Sequence, residues 1–322
     1  MDVLVSIVIT TFNRADFIER AIHSCFNQTY KNIEVIVVDD GSTDNTKDLL
    51  KDYCSSGAIY YYVTENKERN AARNFGAYVS KGKYIKFLDS DDTIEPAYIE
   101  TCISFFQTNP RIEILFTNIS VCLPDRKSHK KTSILKNKNL IDSLWYKNEF
   151  AFSSVIIKRE TFFITKGFDE DRTLIGAEDW EYWMRLSYAG IGFGLVPEFL
   201  TNIFIHDSNT MNSVEKIISG KRRALQVLEK KIDKIEKKSV RKFESGLFFL
   251  KACYAYESYN KWNAFLLLCQ AIKINPVIII KNPTILMIGK LILPNFIVKY
   301  VIRKRDKSNN LNSNQSTYNY SI

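Results

Sequence analysis

The sequence has no apolar run approaching the about 18 uncharged residues of a membrane-spanning helix, so no such helix is predicted and a soluble or peripheral protein is expected. Its longest candidate, from Pro276 to Ile302, is broken by Lys281, Lys290, Lys299 and three prolines. It also lacks a Cys-X-X-Cys pair or a cysteine–histidine cluster, so a structural zinc site is not expected. The six cysteines (Cys25, Cys54, Cys102, Cys122, Cys253 and Cys269) lie far apart, and Cys25 and Cys102 fall on apolar helix faces as buried, reduced thiols. No basic flank precedes the first apolar run, as a signal peptide would require, and a cytoplasmic location is expected. No period typical of a solenoid repeats along the chain.

What is present fits an ordinary globular protein: 322 residues, 45% hydrophobic and 25% charged, enough for one large domain with an appendage. The net charge of +9 is concentrated rather than spread, because Lys221 to Lys242 carries ten basic and three acidic side chains. Leu225, Leu228, Ile232 and Ile235 recur there at helical spacing. Such a basic amphipathic helix suits either packing on a neighbouring domain or an anionic membrane surface. It has no interleaved aromatics, so nucleic acid is not expected as a partner.

The first 120 residues alternate short β-rich runs with amphipathic helical windows, the pattern of parallel βαβ units. Strands are predicted at Val5–Thr11, Ile33 to Val38, Ile59 to Val63, Tyr84 to Leu88 and Ile112 to Asn118. Helices are predicted after Asn13 as N-cap, over Asp44 to Tyr53, over Asn70 to Ser80 and beyond Pro96. From Asp125 to Lys131 the sequence reads as a polar basic loop, followed by an apolar run at Ser154 to Ile157 and a helix from about Glu178. The residues after Lys307 have no hydrophobic periodicity and are expected to be disordered.

Two of these strands end in acid: Asp39-Asp40 after the second, and Asp89-Ser90-Asp91-Asp92 after the fourth. In open α/β sheets ligands gather beyond the carboxyl ends of strands, so both clusters should share one rim. Carboxylates crowded in this way repel one another unless a cation joins them, and a hard divalent ion could bridge them to phosphate oxygens. A solvated turn capping the next helix is the other reading of the tetrad.

The runs Val5-Ser6-Ile7-Val8-Ile9-Thr10-Thr11-Phe12-Asn13, Val37-Val38-Asp39-Asp40-Gly41-Ser42-Thr43-Asp44, Ala72-Arg73-Asn74-Phe75-Gly76 and Gly82 to Asp92 occur in order and at suitable spacing. In these the chain resembles the family 2 inverting glycosyltransferases, over roughly residues 3–210. The resemblance implies a GT-A fold, a Rossmann-like and mostly parallel α/β sheet flanked by helices. It implies that Thr10 and Phe12 line the nucleobase and ribose, that Asp40 bonds the base and that Arg73 sits near base or phosphate. Asp89 and Asp91 are similar to the family's DxD pair, Asp89 towards ribose and metal and Asp91 as the main ligand of Mg2+ or Mn2+, with Asp92 in support. Read without the family, Thr10 is a strand end, Phe12 core and Arg73 half of a surface salt bridge.

Gly176-Ala177-Glu178-Asp179-Trp180 looks like the family's ED motif, preceded by Gly167-Phe168-Asp169-Glu170. Asp179 is then the general base for the acceptor hydroxyl and Glu178 its helper. Their other reading is two acids favoured by the helix dipole in a first turn. Trp180 and Trp183 suit packing better than sugar stacking. His206 matches a histidine that relatives carry near metal or diphosphate, although Ile203-Phe204 stands where many have Tyr-Arg.

The expected organisation is a catalytic domain over 1–211 (nucleotide half 1–120, acceptor half 121–211), a helical extension over 212–305 and a tail over 306–322. The expected function is transfer from a nucleotide-diphosphate sugar, a UDP-sugar first, to a glycan or lipid-linked acceptor for a cell-surface polysaccharide, at the inner face of the plasma membrane. A catalytically inactive nucleotide-sugar-binding scaffold of the same fold is the alternative.

Overall fold

The computed structural model describes residues 3–66, 68–124, 126–131, 140–146, 148, 150–206, 214–233, 235–280 and 282–292. Strand β1 (Val5–Thr11) sends Val5, Ile7 and Ile9 into one apolar cluster and Val8 into another on the opposite face of the sheet. Burial on both faces is what a near-continuous apolar run requires. Helix α1 (Ala15–Phe26) covers one face with Ile18, Ala21, Ile22 and Cys25. Asn13 does not cap it, because Arg14 holds that position without a side-chain bond. Instead Asn13 Oδ1 accepts the Thr43 N–H at 2.8 Å, while Asp44 Oδ2 accepts the Ala15 N–H at 3.0 Å. The two loops at the strand ends thereby tie each other down and still satisfy the helix terminus.

Then follow β2 (Ile33–Asp39), α2 (Thr46–Leu49), α3 (Lys51–Ser55), β3 (Tyr60–Val63), α4 (Arg69–Val79) and β4 (Tyr84–Asp89). The one helix expected over 44–53 is two short ones meeting at buried Leu50. Strand β1 pairs in parallel with both β2 and β4, and the register sets Thr10 opposite Val38 and Asp89. The chain runs outward from β1 to β3 and then returns to β1's other side, which makes a topological switch point between β1 and β4.

The second half adds β5 (Thr93–Ile94), α5 (Tyr98–Thr108), β6 (Ile114–Cys122), β7 (Lys127–Lys130), α6 (Leu140–Leu144), β8 (Val155–Lys158), α7 (Arg159–Ile164), α8 (Glu178–Tyr188) and β9 (Phe193–Phe204). The sheet order is β3-β2-β1-β4-β8-β6-β9-β5, with β7 hung on β6. Pairing is parallel from β3 to β4 and mixed beyond. The stretch read as a basic loop therefore contains strand β7, held by antiparallel pairing that buries Ser128. The long β9 escapes a period-two reading because Gly194 and Pro197 interrupt it. The ladder to β6 shifts register there, and Asn118 Nδ2 satisfies the displaced Pro197 carbonyl at 2.6 Å.

Among the described residues four helices follow: α9 (Val214–Lys231), α10 (Lys237–Glu257), α11 (Lys261–Ile274) and α12 (Asn282–Ile292). Ile218, Leu225 and Leu228 of α9, with Phe243 and Leu247 of α10, join the cluster that holds Trp180 and Trp183. A small separate cluster of Ala252, Ala264, Leu268 and Met287 joins α10, α11 and α12. No helix among the described residues is long and apolar enough to cross a membrane. Cys25 and Cys102 are fully buried, as expected, and burial pushes both thiols up to about 12. The boundary expected near residue 212 and the tail over 306–322 lie outside the described residues.

Candidate active site

Where β1, β2 and β4 end, a cleft of about 610 Å³ opens between the two halves of the sheet. Thr10, Phe12, Asp40, Arg73, Asp89, Asp91, Glu178 and Asp179 all line it, although they come from residues 10 to 179 of the chain. His206 stands at its edge, with Nε2 2.9 Å from Asp91 Oδ2.

At one side, Asp40 is buried and its Oδ1 accepts the Thr64 hydroxyl at 3.1 Å. Its neighbour Asp39 is spent on structure, accepting the Ser42 N–H at 2.8 Å and the Tyr61 hydroxyl at 2.6 Å. Phe12 is 42% exposed, so it is a ring presented to the cleft and not a core residue. Arg73 is 2% exposed, which rules out a surface salt bridge. Its guanidinium lies 3.5 Å above the Phe152 ring, and Nη2 donates to Asp89 Oδ1 at 3.0 Å. Strand β4 ends beside this arginine, so a positive charge faces the first acid of the turn.

Asp89, Asp91 and Asp92 bring carboxylate oxygens within 4.8 Å of one another. Burial, then the charges of Asp91 and Asp89, hold the Asp92 carboxyl well above the ordinary range. Asp92 is fixed from across the fold, its Oδ1 accepting the Phe204 N–H at 3.1 Å. Asp91 is fixed through its backbone carbonyl, which accepts from Arg20 Nη2 at 2.8 Å, and that guanidinium lies 3.5 Å over the Phe204 ring. Hard oxygen donors crowded to mutual repulsion, with one imidazole stacked on Phe17 beside them, suit Mg2+ or Mn2+.

On the facing wall, α8 begins with Glu178 and Asp179. Asp179 Oδ2 accepts from Asn148 Nδ2 at 2.7 Å and Oδ1 from the Trp180 N–H at 2.7 Å. Burial and then the Glu178 charge push the Asp179 carboxyl up to about 6, while the Trp180 N–H, Arg73 and Asn148 pull the other way. Glu178 Oε1 meets Arg69 at 3.3 Å, and its buried Oε2 has no hydrogen-bond partner among the described residues. These two acids lie in the first turn of α8, where the helix dipole favours them, and they also face the cavity with one orphan acceptor and one carboxyl pushed up to about 6. Trp180 and Trp183 are core, the former donating its indole N–H to the Leu144 carbonyl at 2.7 Å.

Sequence reading missed Arg69, Asn148 and Lys221, all of which line the cleft. Lys221 left a signal: it lies one turn before Leu225 on the buried stripe of α9, where a lysine is out of place. Asn148 left none, since nothing local separates it from any loop asparagine.

The sequence model of glycosyl transferase family 2 matches residues 6–164. Chondroitin synthase of Escherichia coli is 28% identical over 263 residues, which are 79% of this chain and 36% of that protein. The chain thus spans about a third of that curated relative. Among solved structures, TarS 1–349 of S. aureus in complex with UDP-GlcNAc superposes with a TM-score of 0.60 at 18% identity, over 99% of this chain and 94% of that one. The mannosyltransferase PcManGT of Pyrobaculum calidifontis, in complex with GDP-Man and Mn2+, superposes with a TM-score of 0.55 at 17% identity, covering 94% and 87%. With the switch-point cleft and its acidic corner in place, residues 6–164 of the chain match glycosyl transferase family 2, and the chain takes the GT-A fold.

Proposed function

We propose that the chain is a metal-dependent, inverting glycosyltransferase that moves a sugar from a UDP-sugar to a hydroxyl of a glycan or lipid-linked acceptor in cell-surface polysaccharide synthesis. One observation carries the reading: the Asp89–Asp92 corner and the Glu178–Asp179 pair face the same cleft. Chemistry that separates a diphosphate from a sugar while activating a hydroxyl needs both. The UDP-GlcNAc in the TarS complex supports a uridine donor, and the chondroitin synthase supports a polysaccharide product.

Thr10, Phe12 and Asp40 would receive the nucleoside, and Arg73 would set a positive charge beside Asp89 towards the phosphates. Asp89 and Asp91, with His206 next to them, would hold a divalent cation, which offsets negative charge on a leaving diphosphate. Glu178 Oε2 accepts a hydrogen bond from the acceptor and aligns it. Asp179 takes the hydroxyl proton as that oxygen bonds to the anomeric carbon. The carbon–phosphate oxygen bond breaks on the opposite face, so the anomeric configuration inverts and no covalent enzyme intermediate forms.

The test uses Asp179→Asn and Asp91→Ala, followed by thermal shift with UDP and Mn2+ and by transfer from a UDP-sugar panel. Asp179→Asn should keep the UDP-induced shift and lose about 10²- to 10⁴-fold in transfer. Asp91→Ala should lose the Mn2+-dependent part of the shift. Transfer by Asp179→Asn at the unsubstituted rate would sink the assignment of the base.

Helix α11 supports a peripheral membrane location. Its inner face is packed, yet Trp262, Phe265 and Leu266 are 70%, 45% and 43% exposed on the outer face. A helix apolar on both faces is a helix that something covers, and with Lys261 and Lys273 alongside, an anionic bilayer surface fits.

A further inference from the structure

The basic side chains around Lys221 on α9 find acids. Arg223 meets Asp171 at 2.8 Å, Lys231 meets Asp169 at 2.6 Å and Arg222 meets Glu244 at 3.9 Å. Lys221 is different. It is 6% exposed, lines the cleft, and makes no hydrogen bond or ion pair among the described residues. Asp179 is the carboxylate whose charge acts on it, yet both Asp179 oxygens are already engaged by Asn148 and the Trp180 N–H. A buried ammonium normally gathers acceptors for its three N–H groups, and this one has the cleft in front of it instead.

Its position is imposed by packing. A Cβ on Gly220 would lie 2.2 Å from the Ile175 carbonyl oxygen, so α9 is pressed against the segment that delivers Gly176 and then Asp179. Gly176 itself has φ +80, and a Cβ there would meet Ile217 of α9 at 3.2 Å. Burial lowers the Lys221 ammonium to about 8, so most of it is still charged at pH 7.

We infer that Lys221 Nζ binds an anionic group, a carboxylate or a phosphate, carried by the acceptor close to the hydroxyl that Asp179 deprotonates. The inference rests on the glycosyltransferase reading and adds to it a class of acceptor: acidic saccharides or polyol phosphates in place of neutral glycans. On the proposed reading the donor diphosphate lies with Asp89, Asp91 and Arg73 at the end of β4, whereas α9 packs Gly220 and Ile217 on the Ile175–Gly176 segment just before Asp179 and so sets Lys221 on the acceptor side. An anion at Nζ would supply the acceptors that the protein withholds and would leave Asp179 free for its proton.

The experiment is titration calorimetry on the full chain loaded with UDP and Mn2+. The probes are a disaccharide ending in glucuronate, the same disaccharide with its carboxylate reduced to hydroxymethyl, and glycerol phosphate. One anionic probe should bind at least about 30-fold more tightly than the reduced disaccharide, as removal of one partner of a buried charge pair implies. Which of the two it is tells carboxylate from phosphate. Lys221→Met should erase that preference and Lys221→Arg retain part of it. A purely structural lysine predicts that Lys221→Met weakens the anionic and reduced probes alike, and that result overturns the inference. So does equal binding of all three probes to the unsubstituted chain, or binding of none of them. If Lys221→Met does not fold, the preference of the unsubstituted chain decides. A chain that binds no nucleoside diphosphate with Mn2+ fails the glycosyltransferase reading first, and this inference with it.

Discussion

Asp179, the proposed base, has its carboxyl shifted by what surrounds it. Burial and the adjacent Glu178 disfavour its charge, and its group titrates at about 6, above an ordinary aspartate. A base must be ionised to accept a proton, so kcat/KM for transfer should be level above that value and fall about tenfold per pH unit below it. Asn148→Ala deletes a hydrogen bond that favours the ionised form and should move the inflection upward, which pH–rate profiles of the two proteins would reveal. A profile flat down to pH 5 would dismiss Asp179 as the titrating group. Asp89, Asp91 and Asp179 were legible in the sequence because each sits in a short run with a recognisable order of residue types. Asn148 was not, since its importance comes from a contact across 31 residues that no local pattern encodes, and Lys221 left only the trace of a lysine on an apolar helical stripe.

Helix α9 depends on one missing methyl group. Because a Cβ at Gly220 would fall 2.2 Å from the Ile175 carbonyl oxygen, Gly220→Ala must lift the helix or shift the segment that follows the Arg172–Leu174 turn. Overpacking of this kind costs about 1–3 kcal/mol, to be read from the urea midpoint. Because Lys221 moves with the helix, the KM for acceptor should rise more than the KM for donor. Unchanged stability would mean that the contact relaxes freely. The elements themselves divide by how they are covered. Strands β1, β2 and β4 were legible because both faces of the sheet are buried there and their apolar runs are nearly continuous, and the exposed edge strand β3 was legible from its β-rich Tyr60-Tyr61-Tyr62-Val63 run. Strands β7 and β9 were not, because pairing with β6 creates them against a basic composition in one case and an interrupted alternation in the other.

Along the chain, most of the net positive charge lies at Lys221 to Lys242, and the exposed apolar side chains Trp262, Phe265 and Leu266 follow on α11. If the stripe on α11 meets a bilayer, the chain should sediment with vesicles rich in anionic lipid at low salt and much less with neutral ones, since surface attraction of this kind is screened. Trp262→Ala with Phe265→Ala should release it while leaving UDP binding intact. Equal sedimentation with neutral vesicles would remove the electrostatic part of the proposal.

The acidic turn at residues 89–92 is pinned by groups that arrive much later in the chain, the Phe204 N–H and the His206 ring. During synthesis the nucleotide-side strands can therefore assemble while that corner is still slack. On the proposed reading, affinity for a divalent ion would be a late acquisition, gained once β9 slots into the sheet.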